Sequence, residues 1–158
     1  MQWFTEHCSD HWTFSSADDD VLPDLPTMYH QIDGFKAEEK TTHSGQHVPA
    51  PIICHFRLME NEVPILTSIW KNQVSESLYP LYAYPDFCSG GFYSMSSLVC
   101  RAIFRISRHH KYFYNDDVWF TGILRLAAIH AGLLPCHDIA DQHCALATIE
   151  KTTAHHFE

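Results

Sequence analysis

Three consecutive carboxylates, Asp18-Asp19-Asp20, follow closely on an apolar, strand-like run, Trp12-Thr13-Phe14. Adjacent acids repel one another, so a chain tolerates three of them only where solvent or a cation takes up the charge. A strand reaching this triplet must therefore end in an exposed turn or at a metal site. On an extended backbone Asp18 and Asp20 point the same way and Asp19 the opposite way, so the outer pair can share one hard divalent cation and the phosphates it carries. The tripeptide by itself does not choose between solvated turn and metal anchor.

The residues after the triplet narrow the architecture. Asp24 is placed as an N-cap, Pro26 falls in the first helical turn, and Leu25, Met28, Tyr29 and Ile32 recur at helical spacing up to Gly34. Strand, acidic turn and helix in that order put a site at the carboxyl edge of an α/β sheet. Upstream, Trp3-Phe4 and His7-Cys8 suit a short amphipathic helix. Downstream, Phe35 to Pro51 is polar and reads as an exposed loop, and Ile52 to Met59 reads as a strand. From Trp70 to Tyr93 the chain is rich in Tyr and Pro, which keeps it extended and out of a central sheet, and Gly90-Gly91 lets a ligand or another backbone come close.

Ser96 then caps a helix with Val99, Ala102, Ile103 and Ile106 on its apolar face and Arg101, Arg105 and Arg108 opposite. His109-His110-Lys111 lies near its end, where positive charge suits the helix dipole. A second acidic pair, Asp116-Asp117, sits among the aromatics Tyr112, Phe113, Tyr114 and Trp119. The dipole alone favours two acids at a helix start, so capping and chemistry are both open for this pair. The next helix runs from Trp119 to Ala131 and ends at Gly132. The tail from Pro135 carries His137, His143, His155 and His156 in a short strand or loop.

A length of 158 residues suits one domain, with 46% hydrophobic and 18% charged residues as in a globular chain and no internal repeat or composition break. The formal charge of -9 argues against a nucleic-acid backbone as partner. Six scattered cysteines include no Cys-x-x-Cys pair, and the even count fits disulfides in an oxidising compartment as well as buried free thiols. Thirteen histidines fall in no His-Glu-x-x-His spacing, so a histidine-rich zinc protein has only composition behind it. With no signal peptide and no apolar run of 18 residues, the chain as it stands is expected neither to enter a secretory pathway nor to span a membrane by itself.

Three segments, in order and spacing, resemble the galactosyltransferase-type β-1,3-glycosyltransferases of glycosyltransferase family 31. Ser16-Ala17-Asp18-Asp19-Asp20-Val21-Leu22 is similar to the family's acid triplet. Lys71-Asn72-Gln73-Val74-Ser75, Tyr79-Pro80 and Tyr84-Pro85-Asp86-Phe87-Cys88-Ser89-Gly90-Gly91-Phe92-Tyr93 resemble its central block without a gap. Asp116-Asp117-Val118-Trp119-Phe120-Thr121-Gly122 resembles its acidic helix start. The departures are Ser16 where a basic residue is usual, Asn72 where Trp is usual and Leu66 where Arg is common, and they bear on donor or acceptor preference.

The resemblance implies a GT-A-like, partial α/β fold, a mixed sheet flanked by helices, with residues 1–158 forming part of a catalytic domain. The membrane anchor and the first nucleotide-binding strands of the family are expected to precede such a segment in a full-length, luminal Golgi enzyme. The implied reaction is inverting, metal-dependent transfer of a hexose, galactose or N-acetylhexosamine, from a UDP-sugar to a hydroxyl of a glycan acceptor on a glycoprotein or glycolipid, forming a β-1,3 linkage. Asp18 and Asp20 are expected to hold Mn²⁺ or Mg²⁺ with a histidine, His137 before His143, as a further ligand. Asp18, Asp19, Asp20, Lys71, Gly90 and Gly91 are expected on the nucleotide side, and Lys71 reads equally well as a surface lysine. Asp116 or Asp117 supplies the base, only one of them reaching the acceptor because neighbours on a helix diverge by about 100°. Tyr84, Phe92, Tyr93 and Trp119 offer faces on which a sugar ring stacks. The competing expectation is a catalytically inactive, truncated member acting as a carbohydrate-binding or chaperone-like module.

Overall fold

The computed structural model describes residues 1–37, 52–55, 58–60, 62, 79–89, 91–136, 144–148 and 154–156. Lys71, Gly90, His137 and His143 lie outside the described residues. In chain order the elements are α1 (Gln2–His7), β1 (Thr13–Ala17), β2 (Val21–Pro23), α2 (Leu25–Ala37), β3 (Ile52–Cys54), β4 (Leu58–Met59), β5 (Phe87–Cys88), β6 (Phe92–Ser96) and α3 (Ser97–Ser107). A π-helical segment (Val118–Ile123), α4 (Leu124–His130), β7 (Leu146–Thr148) and β8 (Ala154–His156) complete them. This is the mixed α/β architecture expected.

The central sheet has the order β1-β6-β3-β7, with β1 and β3 antiparallel to β6 and β7 parallel to β3. Alternation along the strands sorts its residues onto two faces. Tyr93, Met95, Ile52 and Cys54 belong to the larger core, built with Val99, Ile103, Val118 and Leu124 from the helices of one side. Phe92 and Ile53 point the other way and pack with Val21 and with Met28 and Ile32 of α2.

Local chemistry accounts for the helix boundaries. The Asp24 carboxylate accepts hydrogen bonds from the Thr27 N–H at 3.3 Å and the Thr27 hydroxyl at 2.7 Å, capping α2. The Ser96 hydroxyl accepts from the Val99 N–H and caps α3. Gly132, at φ +69, closes α4: its N–H bonds to the Ile129 carbonyl, and the Leu133 N–H to that of Ala128.

Two boundaries differ from expectation. Helix α2 runs past Gly34 to Ala37, because Gly34 faces open space and its backbone still adopts helix at a cost of about 1 kcal/mol. The strand expected over Ile52 to Met59 is two: β3 pairs with β6 and β7, then the chain changes partner after His55 and β4 pairs with β5. One straight strand cannot satisfy both sets of ladder bonds, and the disulfide between Cys54 and Cys88 pins the point of departure.

Candidate active site

The acidic triplet ends β1. Asp18 donates its N–H to the Gly91 carbonyl at 3.3 Å, so the turn leaving β1 is tied to the turn entering β6. Val21 in turn donates to the Asp18 carbonyl at 3.2 Å, which makes Asp19 and Asp20 the central residues of a tight turn. The extended-chain geometry that aims Asp18 and Asp20 alike therefore stops at Asp18. All three acids are exposed.

Opposite this turn stands the start of the helix that leads into α4. Asn115 opens it, accepting from the Val118 N–H with its side chain at 3.3 Å and from the Trp119 N–H with its carbonyl at 2.9 Å. Asp116 and Asp117 occupy the first turn, Asp116 exposed and Asp117 largely covered. Burial first, then the neighbouring Asp116, then Asp18, push the Asp117 carboxyl up to about 7. Residues 18 and 117 are thus within electrostatic reach of each other, although far apart in sequence. Of the two acids at the helix start, Asp117 is the one whose environment suits proton transfer near neutral pH.

Tyr93 lies between the two acidic segments. It is paired across the sheet with Ser16, and burial with the charges of Asp117 and Asp116 holds the phenol far above its ordinary range. Tyr93 is therefore a neutral hydroxyl at any physiological pH.

The π-helical segment fixes Asp117 from behind. The Thr121 hydroxyl donates to the Asp117 carbonyl at 2.6 Å and accepts from the Cys88 N–H at 2.9 Å. By taking the carbonyl four residues back, it competes with the α-helical ladder, which widens so that the Leu124 N–H reaches the Trp119 carbonyl. Gly122 faces the same neighbour: a Cβ there would meet the Phe87 Cβ at 3.3 Å and Pro85 at 3.4 Å. Arg125, fully buried, donates to the carbonyls of Thr121 at 2.8 Å, Asp86 at 3.0 Å and Cys144. The segment carrying Asp117, the Tyr84–Cys88 stretch and the turn at Cys144 are held together through these groups.

The aromatic residues expected to stack on sugar are distributed differently. Tyr84 belongs to a cluster with Tyr79, Phe87 and Phe113, and burial, followed by Tyr114 and Tyr79, pushes its phenol up to about 12. Phe92 is buried on the α2 side, stacked on His55 at 4.4 Å between ring centroids, so it faces away from Tyr93 and from the acidic segments. Trp119 is buried too, with Tyr112 edge-on at 4.9 Å, and its indole N–H has no hydrogen-bond partner among the described residues.

Several participants were not singled out by the sequence. Thr121 carries no spacing signal at all. Arg125 had one available: it is the lone charge in the apolar run from Val118 to Ala131. His55, fully buried, bonds through Nε2 to the Ser94 hydroxyl at 2.7 Å, which bonds in turn to the Ser15 hydroxyl at 2.7 Å. This chain of groups ends at a groove of about 550 Å³ between β1 and α2, walled by Trp12, Met28, Tyr29 and Phe92.

Among the described residues no group of three or more His, Cys, Asp or Glu is arranged to hold a metal ion. The exposed carboxylates of Asp18 and Asp20 are nonetheless hard oxygen donors of the kind Mn²⁺ and Mg²⁺ take alongside phosphate oxygens. The donor chemistry fits a cation whose remaining ligands come from a diphosphate. No helix among the described residues is long and apolar enough to cross a membrane.

The mixed sheet flanked by helices is consistent with a glycosyltransferase domain. The chain belongs to the galactosyltransferase family, whose model matches residues 1–131. It is 30% identical over 141 residues to human acetylgalactosaminyl-O-glycosyl-glycoprotein β-1,3-N-acetylglucosaminyltransferase, a match over 85% of this chain and 33% of that protein. It is 25% identical over 130 residues to human β-1,3-galactosyltransferase 1, covering 82% of this chain and 36% of that one. The chain thus spans about a third of the length of the curated relatives it matches.

Proposed function

We propose that this chain carries the acceptor-activating part of an inverting hexosyltransferase that moves galactose or an N-acetylhexosamine from a UDP-sugar to a glycan hydroxyl, forming a β-1,3 linkage. The observation that supports this most is the meeting of Asp18 and Asp117 at one end of the sheet, with the Asp117 carboxyl pushed up to about 7 by burial and by its acidic neighbours. Asp117 takes the proton of the acceptor hydroxyl as that oxygen attacks the anomeric carbon. The new glycosidic bond forms as the bond to UDP breaks, in a single displacement, and the nucleotide leaves with the bonding electrons. Asp18 and Asp20 would hold Mn²⁺ or Mg²⁺, which when bound supplies positive charge against the departing diphosphate. Tyr93, held neutral by burial and by the neighbouring acids, keeps a hydroxyl donor near the carboxylates of Asp116 and Asp117.

The two human relatives, a β-1,3-N-acetylglucosaminyltransferase and a β-1,3-galactosyltransferase, support the β-1,3 linkage and both sugar classes, and glycoprotein or glycolipid acceptors belong to the same reading. Disulfides Cys54–Cys88 and Cys136–Cys144 support an oxidising compartment, in keeping with a luminal Golgi site.

The test is turnover of UDP-galactose, UDP-N-acetylglucosamine and UDP-N-acetylgalactosamine with and without Mn²⁺. Asp117→Asn is expected to lower the rate by about 10²–10⁴, the contribution of a positioned general base. Asp20→Ala is expected to abolish the Mn²⁺-dependent turnover. Full activity in Asp117→Asn would refute the assignment, and oligosaccharide binding without any turnover would favour a carbohydrate-binding module instead.

A further inference from the structure

In a chain of formal charge -9, four of the ten Lys and Arg fall between Arg101 and Lys111, together with His109 and His110. No Asp or Glu occurs between Asp86 and Asp116. Arg101, Arg105, Arg108 and His109 succeed one another at helical spacing, so they form one stripe along α3 and its last turn. Arg101 is spoken for: it pairs with Asp10 and donates to the Cys8 carbonyl. Arg105, Arg108, His109, His110 and Lys111 are exposed, and none of them has an ion-pair partner among the described residues. The helix dipole favours positive charge at this end and the Arg108 guanidinium lies over the Phe104 ring at 4.8 Å, but no carboxylate among the described residues neutralises the cluster.

The stripe adjoins the site. The chain passes from Lys111 to Tyr112, whose ring packs against Trp119, and reaches Asp116 and Asp117 a few residues later. We propose that the exposed basic end of α3 is an acceptor-side docking surface for the sulfate or carboxylate groups of an acidic glycan, so that the preferred acceptor is an anionic sugar chain. This rests on the transferase reading, which places the acceptor hydroxyl at Asp117. Charge complementarity selects the partner: a neutral glycan gains little from guanidinium and ammonium groups that no carboxylate neutralises, whereas each sulfate or carboxylate pairs with one. A membrane surface fits less well, because the apolar face of α3, with Val99, Ala102 and Ile103, is buried in the core and cannot insert among lipids.

The experiment uses this chain with three probes: a sulfated lactosamine oligosaccharide, its desulfated counterpart, and phosphatidylserine–phosphatidylcholine vesicles. The sulfated oligosaccharide is expected to bind more tightly than the desulfated one, to weaken as salt is raised, and to bind about tenfold more weakly to the Arg105→Glu/Arg108→Glu/Lys111→Glu variant. A milder Arg105→Gln/Arg108→Gln variant, with its circular-dichroism melt compared to the parent, separates lost binding from lost folding. Equal binding of the two oligosaccharides, unchanged binding by both variants, or tighter binding to vesicles than to the sulfated glycan would overturn the proposal. Equal transfer to sulfated and desulfated acceptors would overturn it while the transferase reading stands; charge-dependent glycan binding without turnover would sustain the docking surface and remove the transferase reading.

Discussion

At the scale of the residue, a largely covered carboxyl and a fully buried imidazole oppose each other. The Asp117 carboxyl rises from 3.8 to about 7 in the folded chain, so folding favours its protonated form and the stability it allows is lost as pH rises through that interval. Burial lowers the His55 imidazole from 6.5 to about 4, so its contribution is present above 6.5 and lost as pH falls toward 4. Between roughly pH 4 and 6.5 the two slopes cancel in the parent chain. Asp117→Asn, measured by urea unfolding, is expected to stabilise the metal-free protein at pH 8 by roughly 2–4 kcal/mol and to expose a stability that climbs with pH over that window. His55→Gln leaves only the falling slope of Asp117. A flat profile in both variants would show that these groups do not set the pH dependence.

At the scale of the element, the widened helical segment after Asp117 is the part whose geometry the site depends on. Thr121 and Gly122 let it approach the Tyr84–Cys88 stretch, one by bridging the Asp117 carbonyl to the Cys88 N–H, the other by having no Cβ to collide with Phe87 and Pro85. Gly122→Val is expected to destabilise by about 2–3 kcal/mol, the scale of overpacking, with a matching shift in the urea midpoint. Thr121→Val keeps the shape and removes the hydroxyl; it should lower turnover more than stability, because the Asp117 carbonyl loses its tether. Capping boundaries such as Asp24, Ser96 and Gly132 were legible in the sequence, since a cap is decided by residues three or four positions apart. The widened turn was not, because what provokes it includes a backbone N–H from β5.

At the scale of the whole molecule, the disulfide from Cys54 to Cys88 joins the central sheet to the β4–β5 pair across a separation of 34 residues. Cys54→Ser is expected to cost about 2–5 kcal/mol, read as a lowered unfolding midpoint that a reducing agent reproduces in the parent chain. Cys136–Cys144 closes only a short loop, and its removal should cost less. Cys8 and Cys100 remain thiols, so the even count of cysteines resolves into two bridges and two free groups, an outcome that composition left open.

Strand β6, whose first residues Phe92 and Tyr93 were expected outside the central sheet, lies at its middle because the last proline, Pro85, stands well before it, but the caps, the acidic turn and the acidic helix start were legible in the sequence. These depend on periodicity and on hydrogen bonds between near neighbours, which can be counted along the chain. Only the tertiary structure decided that Asp117 rather than Asp116 is desolvated, that Phe92 and Tyr93 face opposite cores, and that Thr121 and Arg125 hold the acidic helix in place. Desolvation and electrostatic coupling are set by whatever atoms surround a group, and for Asp117 these include Asp18, brought beside it from the far end of the sequence by the pairing of β1 with β6.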